Sequence, residues 1–181
     1  LPDPTALLID NGIGYYQHVS AFFGIRDQEM SKAVVVLDLD RDGDEDYFVT
    51  NTFTPPILYR NDMPAAGRHW VRFQFRGDAS NRDGFGAVVR VSEGAKTQTK
   101  VFNPTNNYIG QHEAVLHFGL GASDAAVDVV EVIWPSGAVQ QLTQVTVDQV
   151  HTLTEPAVVL TPPVIETQPV VSGSFHKDDT V

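Results

Sequence analysis

The chain contains no cysteine. Disulfides, thiolate zinc sites, iron–sulfur clusters and cysteine nucleophiles are excluded together. The compartment stays open, since exported bacterial proteins also lack cysteine. Basic residues are scarce: 12 Lys and Arg face 23 Asp and Glu, for a formal net charge of -11 and a pI near 4.7. A groove that tracks nucleic-acid phosphates would carry the wrong sign, so no nucleic-acid partner is expected. Long apolar runs are missing too. The longest, Ala33 to Leu37, ends in an acidic run, far short of the ~20 residues that span a bilayer. No amphipathic helix of useful length, helical repeat period or signal-peptide pattern is legible. The start at Leu1-Pro2-Asp3-Pro4 reads as a processed or excised end. No permitted Asn-x-Ser/Thr sequon is present, so ordinary N-glycosylation is not expected.

What is present is β pattern. The 181 residues are 42% hydrophobic and 19% charged, a globular balance long enough for one sizeable core. Strands are expected at Ala33–Leu37, Tyr47–Asn51 and Ile57–Arg60, then at Trp70–Phe75, Ala87–Val91, Lys96–Phe102, Ala114–Phe118 and Val127–Trp134. Pro135-Ser136-Gly137 marks a tight turn, and Val145 to Thr154 reads as one last strand. The expected fold is all-β: a small β unit holding an acidic loop, packed on an antiparallel sandwich or barrel, with extended terminal segments. The organisation reads as an N-terminal extended segment over 1–24, the acidic-loop unit over 25–62, a β domain over 69–156 and a Pro-rich tail over 157–181.

The acidic loop is the one chemically sharp feature. Asp38-Leu39-Asp40-Arg41-Asp42-Gly43-Asp44-Glu45-Asp46 packs six carboxylates into nine residues, offset within the loop by Arg41 alone. Two carboxylates ~4 Å apart at a partly exposed site repel by about 1–4 kcal/mol. A cation among them removes that cost, and an all-oxygen, flexible donor set suits Ca²⁺ better than Mg²⁺. Gly43 permits the sharp turn. The spacing resembles the start of an EF-hand loop, but position twelve is Val49 and the flanks are β-branched, so the geometry reads as strand–loop–strand. Expected side-chain ligands are Asp38, Asp40, Asp42 and Asp46, with the Asp44 carbonyl added; Leu39 is expected to face the core and Glu45 the solvent. The alternative is an acidic turn that merely solvates a hairpin. A single site of extracellular type binds at ~10⁻⁴–10⁻³ M, too weak for cytosolic calcium, which points to export.

Val34 to Asn51, with Pro56 to Asn61, resembles one FG-GAP/VCBS-type calcium repeat. His69-Trp70, Ser80 to Ala87, His117 to Gly121 and Val130 to Gly137 are similar to the ASPIC/UnbV domain, which follows such repeats in cartilage acidic proteins and many exported bacterial proteins. The resemblance implies calcium at Asp38, Asp40, Asp42, Asp44 and Asp46, and no catalytic residue in the second part. Several repeats normally close a propeller, so the resemblance implies that the acidic-loop unit is a single propeller-blade-like repeat. A lone one leaves strand edges that a domain, a tail or another subunit must cover.

Other features have plainer readings. The histidines show no ligand spacing, Ser136 lacks a nucleophile elbow, and Ser80 to Gly86 reads as a turn held by Asn and Asp side chains rather than a phosphate cradle. Trp70 and Trp134 are expected to anchor the β core. The tail reads as a linker, as a segment packing on its own domain, or as a strand added to a neighbouring subunit, for which Ala157 to Leu160 and Val170-Val171 are apolar candidates. The expected function is non-enzymatic: an extracellular, calcium-stabilised structural subunit that self-assembles into fibres or a surface layer through its terminal segments. Alternatives are a calcium-dependent adhesion module excised from a larger exported protein, with a protein or glycan ligand, and a glycan-active enzyme centred on the acidic loop.

Overall fold

The computed structural model describes residues 5–63, 66–105, 107–122 and 126–157. It is all-β, with twelve strands and no helix among the described residues, hence none long and apolar enough to cross a membrane. The strands are β1 (Leu8–Asp10), β2 (Tyr16–His18), β3 (Ser31–Leu37), β4 (Asp46–Asn51), β5 (Ile57–Tyr59), β6 (His69–Arg76), β7 (Val88–Glu93), β8 (Lys96–Val101), β9 (Leu116–Gly121), β10 (Ala126–Ile133), β11 (Val139–Thr146) and β12 (Gln149–Thr154). They form sheets of order β1-β2, β3-β4-β5, β12-β6-β9 and β11-β10-β7-β8. No closed barrel forms among the described residues.

The last two sheets enclose the main core. Alternation on β6 buries Val71, Phe73 and Phe75 while Gln74 and Arg76 face out. Val89 and Val91 on β7, Val130 and Val132 on β10, and Leu116 and Phe118 on β9 answer from the other strands. Trp134 closes one end, 1% exposed, with its ring edge-on to Phe75 at 5.7 Å. Gly84 sits beneath it at positive φ, where a side chain would strike Phe75.

Two sequence expectations need correction. Val145 to Thr154 is not one strand. The chain breaks at Val147-Asp148, and Asp148 takes φ 58, a left-handed conformation that Asp tolerates better than most residues. Its amide donates to Trp70 O (2.7 Å) while its carboxylate takes the Trp70 amide (3.2 Å) and the His69 ring (2.7 Å). This hinge carries the chain from the edge of one sheet to the other, where β12 runs parallel to β6; the sandwich is therefore not wholly antiparallel. Leu39 does not face the core but is 50% exposed. Its amide, not its side chain, is the anchored part.

Upstream, the structure is thinner. Ile25 and Val49 are the buried hydrophobics there among the described residues. All six residues of the β1-β2 hairpin are exposed. The outer edge of β3 is covered from the second part of the chain: the Val36 amide donates to the His112 ring (3.0 Å), Val36 O accepts from the Glu113 amide (3.0 Å) and Val34 O accepts from Asn107 Nδ2 (2.8 Å). No strand pairs with the outer edge of β5 among the described residues. Of the C-terminal tail, only Ala157 is among them; Val158 to Val181 lie outside.

Candidate metal centre

The acidic loop joins β3 to β4, antiparallel strands in register from Leu37↔Asp46 back to Ala33↔Thr50. β-branched Val34, Val35 and Val36 and aromatic Tyr47 and Phe48 favour that pairing, and it forces the nine acidic-loop residues into a closed turn. Asp46 is the clasp. It is fully buried; its Oδ2 accepts from the Leu39 amide and its Oδ1 from the Asn61 amide, both at 2.8 Å. It thereby ties the loop's start to the chain just after β5. Gly43 is the second fixed point, at φ 98, with space for a Cβ filled by the Trp70 ring at 1.9 Å. A side chain there would be both strained and blocked.

One carboxylate oxygen each from Asp38, Asp40 and Asp42 falls within 4.8 Å of the others. Asp38 is 8% exposed and the other two are exposed. Asp38 Oδ2 accepts from the Gly43 amide (3.1 Å) and from Arg72 Nη1 (2.6 Å), whereas Asp38 Oδ1 is buried with no hydrogen-bond partner. Asp44 Oδ1 is also buried without a partner. An unpaired buried oxygen on an ionised group is costly. Asp42 is turned to the Asp44 amide (3.1 Å). Asp40 lies 3.9 Å from exposed Arg60. Glu45 is half-buried, 3.7 Å from the His117 ring, rather than freely solvated.

The electrostatics follow from this crowding. Burial, then the charges of Asp42, Asp46 and Asp40, push the Asp44 carboxyl up to about 7 from 3.8. The unfolded chain ionises Asp44 first, so between those values the folded state loses stability as pH rises. A bound cation would reverse that penalty. Arg72, on β6 and 5% exposed, offsets part of the charge by bridging Asp38 and Glu113. Burial holds the His117 ring below its usual value, against the pull of Glu45; its Nε2 meets Gly43 O at 3.0 Å and its ring stacks on Trp70 at 6.5 Å.

All five aspartates of the sequence motif are thus in one loop, but they divide into roles. Asp38, Asp40 and Asp42 converge, Asp44 supplies an unpaired buried oxygen, and Asp46 spends both oxygens on backbone amides. Sequence reasoning missed Arg72, Trp70 and His117, which fasten the loop to β6 and β9. Nothing local marked Arg72: a charged residue between inward-facing Val71 and Phe73 is the ordinary solvent-facing position of a strand, and its burial comes from Asp38 and Glu113.

A second polar cluster explains the other motifs. Glu155, 4% exposed, accepts from the amides of Asp78 (2.7 Å) and Ser80 (2.8 Å) and the hydroxyls of Ser80 (2.8 Å) and Ser136. Burial would raise its pKa, but the bonds from Ser136, Ser80 and Asp78 outweigh that and bring it down to about 2. Ser136 is therefore a donor within a structural clamp. Asn81 holds the preceding turn through both Phe85 backbone groups.

Residues 77–159 match the ASPIC and UnbV family model. The Ser80–Ala87, His117–Gly121 and Val130–Gly137 motifs and the Glu155 clamp fall inside the match, while His69-Trp70 precede it. No curated protein is a significant match to the chain.

Proposed function

We propose that the protein is a non-enzymatic, exported structural subunit whose acidic loop, an FG-GAP/VCBS-like repeat in single copy, is completed by Ca²⁺ and which assembles through its terminal segments. The observation that carries this reading is the buried, unpartnered Asp38 Oδ1 on one of three converging carboxylates, those of Asp38, Asp40 and Asp42, with a second buried, unpartnered oxygen, Asp44 Oδ1, in the same loop. These oxygens fit a hard cation. Asp38, Asp40 and Asp42 would hold it, with Asp44 as a further donor, while Asp46 keeps both oxygens on the Leu39 and Asn61 amides and fixes the loop around them. The ion would supply charge, not chemistry. It would cancel the repulsion within the loop and stiffen the turn through which Gly43 meets Trp70.

Carboxylates clustered around one point serve a cation better than hydrolysis, which needs two carboxyls held ≈5 Å or more apart across a cleft. Adhesion is the second reading, favoured by a cavity of about 260 Å³ beside the loop, into which Asp44, Tyr47, Trp70 and His117 face.

The test is thermal unfolding with Ca²⁺ or chelator, on wild type and Asp42→Asn. At tenfold excess over its dissociation constant, Ca²⁺ stabilises wild type by about 1.4 kcal/mol and leaves the variant unchanged. Equal melting in Ca²⁺ and chelator refutes the metal. Negative-stain images of the same samples refute assembly if they show dispersed monomers.

A further inference from the structure

A mainly apolar groove of about 670 Å³ lies between the β1-β2 hairpin and the C-terminal end of β5 with the residues that follow it, and Asp10, Arg60, Asn61 and Asp62 also line it. Leu8, Ile9 and Phe23 form one wall, Tyr47, Tyr59 and Met63 the other. Leu8 is 53% exposed, and the β5 edge beside it has unpaired backbone groups among the described residues. A groove with a bare strand edge is a template for an added strand.

The chain itself contains a matching segment. Val158 to Val171 is rich in β-branched residues and carries a single charge, Glu166. Its prolines, Pro162, Pro163 and Pro169, exclude a central strand but suit one that pairs along a single side.

The direction of β12 favours the groove of another copy. β12 runs parallel to β6, from Gln149↔Val71 to Thr154↔Arg76, and the Glu155 amide extends the ladder to Arg76 O. The acidic-loop unit sits at the other end of β6, where Trp70 meets Gly43. The tail therefore departs roughly 20 Å along β6 from the unit that bears the groove, heading away from it.

We infer that residues 158–171 of one copy add as a strand to β5 of the next copy and fill the groove under Leu8. The contact is head-to-tail. Donor and acceptor lie at opposite poles, so repetition gives an open filament rather than a closed dimer. This inference rests on the self-assembly reading above and specifies its joint.

The absence of cysteine makes the test clean. Full-length Leu8→Cys and full-length Val164→Cys chains are mixed and treated with a short bis-maleimide. The control pair is Val164→Cys with Thr99→Cys, a site on exposed β8. The inference predicts at least tenfold more heterodimer from the Leu8 pair than from the control, and a ladder of higher species from the Leu8→Cys/Val164→Cys double variant. Equal yields overturn it. So do homodimers of Leu8→Cys alone, which would mean that the groove pairs with itself, and a double variant linked only within the monomer, which would mean that the tail folds back. If these fail while filaments persist in negative stain, the joint is wrong and self-assembly stands. Monomers alone in sedimentation defeat both.

Discussion

The two ends of this molecule hold together by different physics. Downstream of His69, sixteen buried side chains among the described residues form one hydrophobic cluster between two sheets. Upstream, Ile25 and Val49 are the buried hydrophobics among the described residues, and the buried groups of note are polar: Ser20, Asp38 and Asp46. The first part is stabilised by removing apolar surface from water, a term that changes little with pH or ions. The second depends on carboxylates that must be charged to accept their backbone and arginine donors, yet repel one another when charged. A region of that kind is conditional. The structure joins it to the unconditional region through Arg72, Trp70 and His117.

Substitutions can separate the two. Trp134→Ala should have the largest effect, about 3–5 kcal/mol lost in denaturant unfolding, with Ca²⁺ giving no relief. Arg72→Met should cost about 3 kcal/mol, because it leaves Asp38 buried beside an empty place. In this variant Ca²⁺ should recover part of the loss, so the unfolding curves with and without Ca²⁺ should lie further apart than for wild type. Asp46→Ala should cost about 2–3 kcal/mol, since the Leu39 and Asn61 amides lose their acceptor. Its amide exchange should rise over β3, β4 and β5 and stay unchanged over β6 to β12. Glu155→Gln is the smallest, about 2 kcal/mol at neutral pH, because it removes the charge at which four donors point, and the loss lies wholly downstream of His69. Glu155 has a folded pKa depressed to about 2 from 4.5. Its contribution is therefore complete above pH 4.5 and fades as pH falls toward 2. Acid titration of stability should lose that component of its slope in the variant.

Much of this division was legible in the sequence. Alternation in Trp70-Val71-Arg72-Phe73-Gln74-Phe75 gave β6, and β-branched Val34-Val35-Val36 opposite Tyr47-Phe48-Val49 gave the hairpin around the acidic loop. Trp134 sits in the core as its pattern implied, whereas Trp70 is half-buried and spends its ring on Gly43. What was not legible is long-range. Nothing local in Val145 to Thr154 announces that Asp148 will turn left-handed to reach Trp70, since the partner amide is 78 residues away. The cover on β3 likewise comes from Asn107, His112 and Glu113, more than 70 residues downstream. Within the loop, spacing identified five aspartates but not their division of labour. Asp46 became a clasp because β5 brings Asn61 beside it. Leu39 misled because strand alternation does not continue through a turn.

The central claim is that a divalent cation in the Asp38–Asp46 loop stiffens the polar end of the molecule. Hydrogen exchange resolved by segment, with saturating Ca²⁺ and then with chelator, tests it most directly. The account predicts that Ca²⁺ slows exchange over β3, β4 and the loop by about tenfold, the factor equal to 1.4 kcal/mol, while β7, β10 and β11 exchange alike in both conditions. Identical exchange over β3 and β4 with and without the ion would contradict it.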